Sequence, residues 1–158
     1  MRFDKTSHDE AKRRWDSIAK PLGGLGVLED MICAIAGMRG TADVSLKKRT
    51  AVIMCADNGV VCEGVSQSDS SVTAAVAEEI AQGRSSVNLL ARQFGAEVIA
   101  VDIGMCTDAD NPRILRRKTA YGTHNIAVGA AMTHTGAQAA INAGRALAHE
   151  LCASGTDI

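Results

Sequence analysis

Ala51-Val52-Ile53-Met54-Cys55-Ala56-Asp57-Asn58-Gly59-Val60-Val61-Cys62-Glu63-Gly64-Val65-Ser66 opens as a short apolar run rich in β-branched residues, then breaks into a polar, glycine-bearing turn. A helical pattern begins a few residues later, at Ser70 or Ser71. Strand, glycine-bearing loop and helix, in that order, is how open α/β sheets build ligand sites at the carboxyl ends of their strands. The loop over 57–69 is therefore where function is expected.

Downstream, Val72, Val76 and Ile80 recur every fourth residue and predict a helix over 71–82, closed by Gly83. A further helix over 85–94 carries Val87, Leu90, Ala91 and Phe94 and stops at Gly95. Glu97-Val98-Ile99-Ala100-Val101-Asp102-Ile103 is the second strand, ending at Gly104. Strand, helices, strand predicts a right-handed crossover between parallel strands. Residues 105–123 read as loop, and His124-Asn125-Ile126-Ala127-Val128-Gly129 is a candidate short third strand. A long helix over 135–153 places Ala137, Ala140, Ile141, Leu147, Ala148 and Leu151 on one side. Gly144 falls on that face, where a missing side chain would admit a close neighbour.

Upstream, Ser7-His8-Asp9-Glu10 has the form of a capping box. Ala11, Trp15, Ile18 and Ala19 share a helix face that Pro21 ends. A loop over 20–26 leads to a second helix, with Leu28, Ile32 and Ile35 as its stripe, Met31 and Met38 flanking, and Gly40 as its cap. The reading is one α/β domain over 1–158, with 1–40 a helical region packed beside a parallel sheet. After Gly155, Thr156-Asp157-Ile158 reads as the lead-in to another strand. Two or three strands are few for a doubly wound sheet, so the chain is expected to be an incomplete, N-terminal piece of a longer one.

Composition narrows the function. A chain of 158 residues with 46% hydrophobic and 22% charged residues can bury one ordinary core. A net charge of −1 and 3% aromatic residues leave no basic footprint or stacking platform for nucleic acid. No apolar stretch reaches the roughly 18 residues that span a bilayer, and no signal core follows the N-terminus. Cys33, Cys55, Cys62, Cys106 and Cys152 read as reduced core thiols of a cytoplasmic protein.

Each polar cluster has a bland reading. Gly23-Gly24-Leu25-Gly26 follows no strand and reads as a helix–helix connection; no dinucleotide or P-loop fingerprint appears, so no cofactor is expected. Asp102, Asp108 and Asp110 lack a calcium-loop pattern, and Cys55 and Cys62 lack zinc spacing, so no metal is expected. Arg113, Arg116, Arg117 and Lys118 read as a solvated face. Asp57 can orient a ligand, though an Asp at a turn commonly bonds its own backbone. Among Ser66, Ser68, Ser70 and Ser71, one or two cap the next helix, which leaves Ser68 as a pocket contact. Tyr121-Gly122-Thr123-His124-Asn125 is a second polar loop that meets the first if the two strands are parallel neighbours.

Several segments in order resemble one family. Lys20-Pro21-Leu22-Gly23-Gly24-Leu25-Gly26-Val27-Leu28-Glu29 resembles the Lys-Pro-Pro-Gly-Ser-Leu-Gly-Arg-Leu-Glu opening of the nicotinate-nucleotide–dimethylbenzimidazole phosphoribosyltransferases. Met54-Cys55-Ala56-Asp57-Asn58-Gly59-Val60 with Glu63-Gly64-Val65-Ser66 resembles their Ala-Asp-His-Gly-Val…Glu-Gly-Val signature. Val72-Thr73, Val101-Asp102-Ile103-Gly104 and Gly122-Thr123-His124-Asn125-Ile126…Ala131-Met132-Thr133 continue it. The resemblance implies a Rossmann-like α/β fold, a homodimer, and a transferase of cobalamin biosynthesis acting on nicotinate mononucleotide and 5,6-dimethylbenzimidazole. It implies that a ring nitrogen of the base attacks the anomeric carbon as nicotinate leaves, while a general base takes the other ring nitrogen's proton.

The departures matter as much. Asn58 stands where the family has His, Leu22 for a Pro, Val27 for an Arg, Asp69 and Ala130 for prolines. Ser68 matches a position lining the benzimidazole pocket, and Val76 would face the same pocket, although core packing explains Val76 equally well. With Asp57, Asn58 and Gly59 these are the expected substrate-binding residues. The resemblance puts the nucleotide-holding Gly-Glu-Met-Gly segment and the general-base Glu beyond Ile158, so no catalytic residue is carried onto this chain and it is expected to be inactive alone. The competing expectation is a truncated, non-catalytic relative that binds a benzimidazole-like base or serves as a dimerisation module. A generic nucleotide-binding domain is disfavoured by the missing glycine fingerprint.

Overall fold

In a computed structural model, which describes residues 3–158, the two β-branched runs form β1 (Arg49–Ala56) and β2 (Ala96–Gly104). They pair in parallel, from Arg49 opposite Ala96 to Cys55 opposite Asp102. The register then slips, so that Ala56 faces Gly104. A bulge of this kind bends a strand end and re-aims the chain beyond it. Here it lets the Asp57 amide donate to the Gly104 carbonyl at 3.0 Å.

The crossover between them contains α3 (Ser71–Ala81) and α4 (Ser86–Gln93). Ile53 and Cys55 of β1, Val98 and Ala100 of β2, and Ala77 and Ile80 of α3 close one core, with Met105 and Ile114 from the segment after β2. Of the apolar stripe expected on α3, only Ile80 enters this core; Val72 and Val76 stay exposed. Val87 is the residue of the expected α4 face that packs on it, while Leu90 and Phe94 are exposed. The start of α3 is capped by Asp69, which accepts from the Ser71 amide at 2.9 Å and from its hydroxyl. Ser70, at the cap position, makes no side-chain cap bond.

The third strand is not over 124–129. It is β3 (Leu115–Arg116), parallel to β2, with Leu115 opposite Val101 and Arg116 opposite Asp102, giving the sheet order β1-β2-β3. Residues 124–129 form a turn instead, because the Asn125 side chain accepts from the Ala127 amide and its carbonyl accepts from Val128 and Gly129. An Asn that bonds its own backbone in this way outcompetes a strand. The last helix, α5 (His134–Ala153), is capped by Thr133, whose hydroxyl accepts from the Gly136 amide. Its buried Leu147, with Val52 and Ile99, lines the opposite face of the sheet. Gly144 admits no close neighbour; the space beside it is open. The Asp157 amide donates to the Lys48 carbonyl at 2.8 Å and the Thr50 amide to Ile158 at 2.9 Å, so 156–158 runs beside the start of β1. No helix is long and apolar enough to cross a membrane among the described residues.

These elements form the unit Lys47–Ile158; residues up to Leu46 form another. In it, α1 (Lys5–Asp16) and α2 (Val27–Arg39) pack together through Ala11, Cys33 and Ala36. The first two residues of the expected 1–40 region lie outside the described residues. The cap of α1 is Asp4, not Ser7: its carboxylate accepts from the Thr6 and Ser7 amides, and the buried Ser7 hydroxyl donates to it. The helix ends at Asp16, short of Pro21. Gly40 caps α2 as expected, but Cys33, Ala36 and Gly37 are its buried face, and Leu28 and Met31 are exposed.

The glycine loop between these helices is folded around one carboxylate. Glu29 Oε1 accepts from the Leu25 amide at 2.9 Å and pairs with Lys20 Nζ at 2.8 Å, the two side chains being 9% and 14% exposed. The Lys20 ammonium, then the Leu25 amide, holds the Glu29 carboxyl below its ordinary value of 4.5. A depressed carboxyl stabilises fully above the unfolded value and loses that contribution as pH falls through the folded one. Unfolding followed by the fluorescence of the single Trp15 is expected to lose stability as pH drops below 4.5. Glu29→Gln should lower stability at pH 7 and flatten that acid limb; an unchanged limb refutes the assignment.

Candidate functional site

The loop after β1 is anchored at its first residue. Asp57 is 4% exposed at the strand end. Its carbonyl accepts from the Thr123 amide at 3.0 Å, and its Oδ2 accepts from the Cys106 amide at 2.7 Å. Asn58 follows in extended backbone, and a 3-10 turn, Gly59–Glu63, begins behind it. The second polar loop does meet the first. The Gly59 amide donates to Thr123 Oγ1 at 3.2 Å, and a side chain on Gly59 would lie 2.6 Å from the backbone of Thr123 and His124. The Asn125 amide group bonds both Cys62 Sγ and Glu63 Oε1, locking the turn to the 122–125 segment.

Between this loop and α3 opens a cleft of about 340 Å³. Ile53, Val61, Val72, Val76 and Ile80 supply its apolar surface. Asp57, Asn58, Ser66, Ser68, Ser70 and Thr73 supply its polar rim. An apolar slot with a few oriented polar groups suits a flat, weakly polar ring. Four of the five residues expected to bind substrate therefore meet in one place: Asp57, Asn58, Ser68 and Val76. Gly59 stands apart, as the point where two loops touch. Val72, which is not among the expected site residues, also lines the cleft.

Burial pushes the Cys55 thiol up, and burial followed by the nearby Asp57 carboxylate does the same to Cys106. Of the five cysteines only Cys33 and Cys55 are buried; Cys62, Cys106 and Cys152 are exposed, contrary to the reading of all five as core thiols. No cluster of three or more His, Cys, Asp or Glu side chains is arranged to hold a metal among the described residues.

The basic run 113–118, which spans β3, is also not a solvated face throughout. Lys118 turns inward, with its side chain 14% exposed, and pairs with Asp102 and Asp108. Burial alone would pull its ammonium down, but hydrogen bonds to Asp108 and Asp102 more than offset this and hold it above its ordinary value. The same ammonium, followed by the Tyr121 hydroxyl, lowers the Asp108 carboxyl. Neither partner is signalled by spacing, since Lys118 sits among arginines.

A family model described as DBI_PRT, phosphoribosyltransferase, matches residues 1–158. The chain is 42% identical over 154 residues to the nicotinate-nucleotide–dimethylbenzimidazole phosphoribosyltransferase of Acetivibrio thermocellus, covering 98% of this chain and 44% of that protein. It is 39% identical over 157 residues to the enzyme of the same name from Chloroflexus aurantiacus, covering 99% of this chain and 45% of the relative. A crystal structure of the corresponding Thermus thermophilus protein superposes with a TM-score of 0.84 at 34% identity, over 97% of this chain and 47% of that one. The chain thus spans less than half the length of the relatives it matches.

Proposed function

The chain belongs to the DBI_PRT phosphoribosyltransferase family, and on that premise we propose that it supplies the aromatic-base side of a nicotinate-nucleotide–dimethylbenzimidazole phosphoribosyltransferase site. The observation that carries this is the cleft at the end of β1, with an apolar wall on α3 and a hydroxyl-lined rim. In the reaction, a nitrogen of 5,6-dimethylbenzimidazole bonds to the anomeric carbon of nicotinate mononucleotide. The bond from that carbon to the nicotinate nitrogen breaks, its electron pair leaves with nicotinate, and the base loses its other ring proton. The role of these residues is to hold the base flat against Val72 and Val76, with its polar edge toward Asn58 and Ser68. Orientation of that kind is a large part of what a two-substrate transfer needs. We assign no general base within the chain. Assembly as a homodimer in the cytoplasm belongs to the same reading, and a single-chain mass by light scattering would remove the dimer from it.

Isothermal titration tests the cleft directly. Saturable binding of 5,6-dimethylbenzimidazole is expected, and Val76→Asp should abolish it while leaving the melting temperature nearly unchanged, because Val76 is already 46% exposed. Ser68→Ala should weaken the base about tenfold at most, the worth of one hydrogen bond of roughly 0.5–1.5 kcal/mol. A base that does not bind, or that binds Val76→Asp as tightly as the parent protein, overturns the proposal.

A further inference from the structure

We infer that Lys118 is a positioning residue for the strand-end site, an inference that rests on reading that site as a base-binding cleft. Its ammonium lies 2.9 Å from Asp108 Oδ1, 2.9 Å from the Met105 and Thr107 carbonyls, and 3.3 Å from Asp102 Oδ2. It also sits 4.1 Å from the centre of the Tyr121 ring. An ammonium has three N–H groups and accepts nothing, so four oxygens and an aromatic face use all it can offer. Three of those oxygens belong to the segment 105–108, where the chain leaves β2.

The same segment is gripped from its other side by two buried carboxylates. The Met105 amide donates to Asp102 Oδ1 at 3.0 Å, and the Cys106 amide donates to Asp57 Oδ2 at 2.7 Å. Asp102 is 2% exposed and Asp57 4%. The Asp57 carboxylate makes no ion pair among the described residues, so its hydrogen-bond partner is the amide that this segment presents, while the Asp57 backbone is held by Gly104 and Thr123. Lys118 therefore acts at one remove. By holding the 105 and 107 carbonyls and the 108 carboxylate it sets the conformation in which the Cys106 amide reaches Asp57. Asp57 in turn fixes Asn58 at the rim of the cleft. Without the clasp, the 105 and 107 carbonyls lose their donor and the segment keeps the Met105 and Cys106 amide bonds, the Tyr121 hydroxyl on Asp108 and the burial of Met105, a smaller set to offset the entropy cost of ordering four residues.

The competing role is plain charge neutralisation of buried Asp102, and the two roles separate cleanly. Lys118→Met alone leaves Asp102 without its cation and is a candidate for failed folding. The double variant Asp102→Asn/Lys118→Met removes both charges, and the side-chain amide oxygen introduced at position 102 still accepts from the Met105 amide. We expect it to melt within a few degrees of the parent, yet to bind 5,6-dimethylbenzimidazole at least tenfold more weakly. Hydrogen exchange in the 105–108 segment should run at least tenfold faster. Lys118→Arg keeps the charge but offers a planar fork to four convergent oxygens, so it should share the affinity loss. Wild-type affinity and exchange in the folded double variant, or wild-type affinity in Lys118→Arg, overturns the positioning role. If the parent protein itself does not bind the base, the functional proposal falls, and exchange at 105–108 alone then decides whether Lys118 sets this segment.

Discussion

Gly59→Ala is expected to lower the melting temperature by about 9 °C and to weaken base binding at least tenfold. The added methyl carbon would lie 2.6 Å from the His124 carbonyl carbon and the Thr123 carbonyl oxygen, and 2.7 Å from the Asn125 amide nitrogen. All three are backbone atoms, so no rotamer change relieves the clash. The loops over 57–63 and 122–125 must part, which breaks the Gly59–Thr123 and Asn125–Glu63 bonds together and tilts Asn58 and Val61 out of the cleft wall. Overpacking of this kind costs about 1–3 kcal/mol. At about 3 °C per kcal/mol for a chain of this size, the upper end corresponds to the shift named. Gly64→Ala is the control. Gly64 has φ of 72° but nothing within 4 Å of a new side chain, so it should cost only about 1 kcal/mol of left-handed strain and leave base binding intact. If the two variants behave alike, the loop–loop contact is not what makes Gly59 necessary.

The contrast between those glycines shows what a linear reading reaches. β1, β2 and α3 are legible because β-branched runs and a four-residue apolar repeat are local signals, and the place of the cleft-lining loop follows from their order. Four of the five nominated residues land in one cleft for that reason. β3 is missed because two residues, Leu115 and Arg116, carry no period, and what pairs them to β2 is the geometry of Val101 and Asp102. The alternation through Ile126 and Val128 looks like a strand, but both side chains are exposed and the Asn125 turn decides their path. Val72 and Val76 have the spacing of core residues yet are exposed and line the cleft; spacing assigns a face to a helix and cannot say what lies opposite. Lys118 is the hardest case. Its partners Asp102, Met105, Thr107 and Asp108 are brought together by the end of a strand, and a run of basic residues has no mark for the one that turns inward.

Asp57 carries the second large effect, because its carboxylate is engaged by the protein at the floor of the strand-end loop. Its Oδ2 takes the Cys106 amide at 2.7 Å, a charge-assisted bond at the short end of its range, in a residue 4% exposed. Asp57→Ala leaves that part-buried amide without its charged acceptor, and losing a hydrogen bond to a charged group costs about 1.5–3 kcal/mol. A loss of about 2 kcal/mol by urea unfolding is expected. Asp57→Asn keeps an oxygen in place and forfeits only the charge assistance, so about half that loss should result. Base affinity should fall in step with stability across the pair, since both pass through the position of the loop. The opposite pattern would be Asp57→Asn with full stability and lost base binding. That result would mean the carboxylate meets the ligand itself, and it would move Asp57 from the frame of the site into its contact surface.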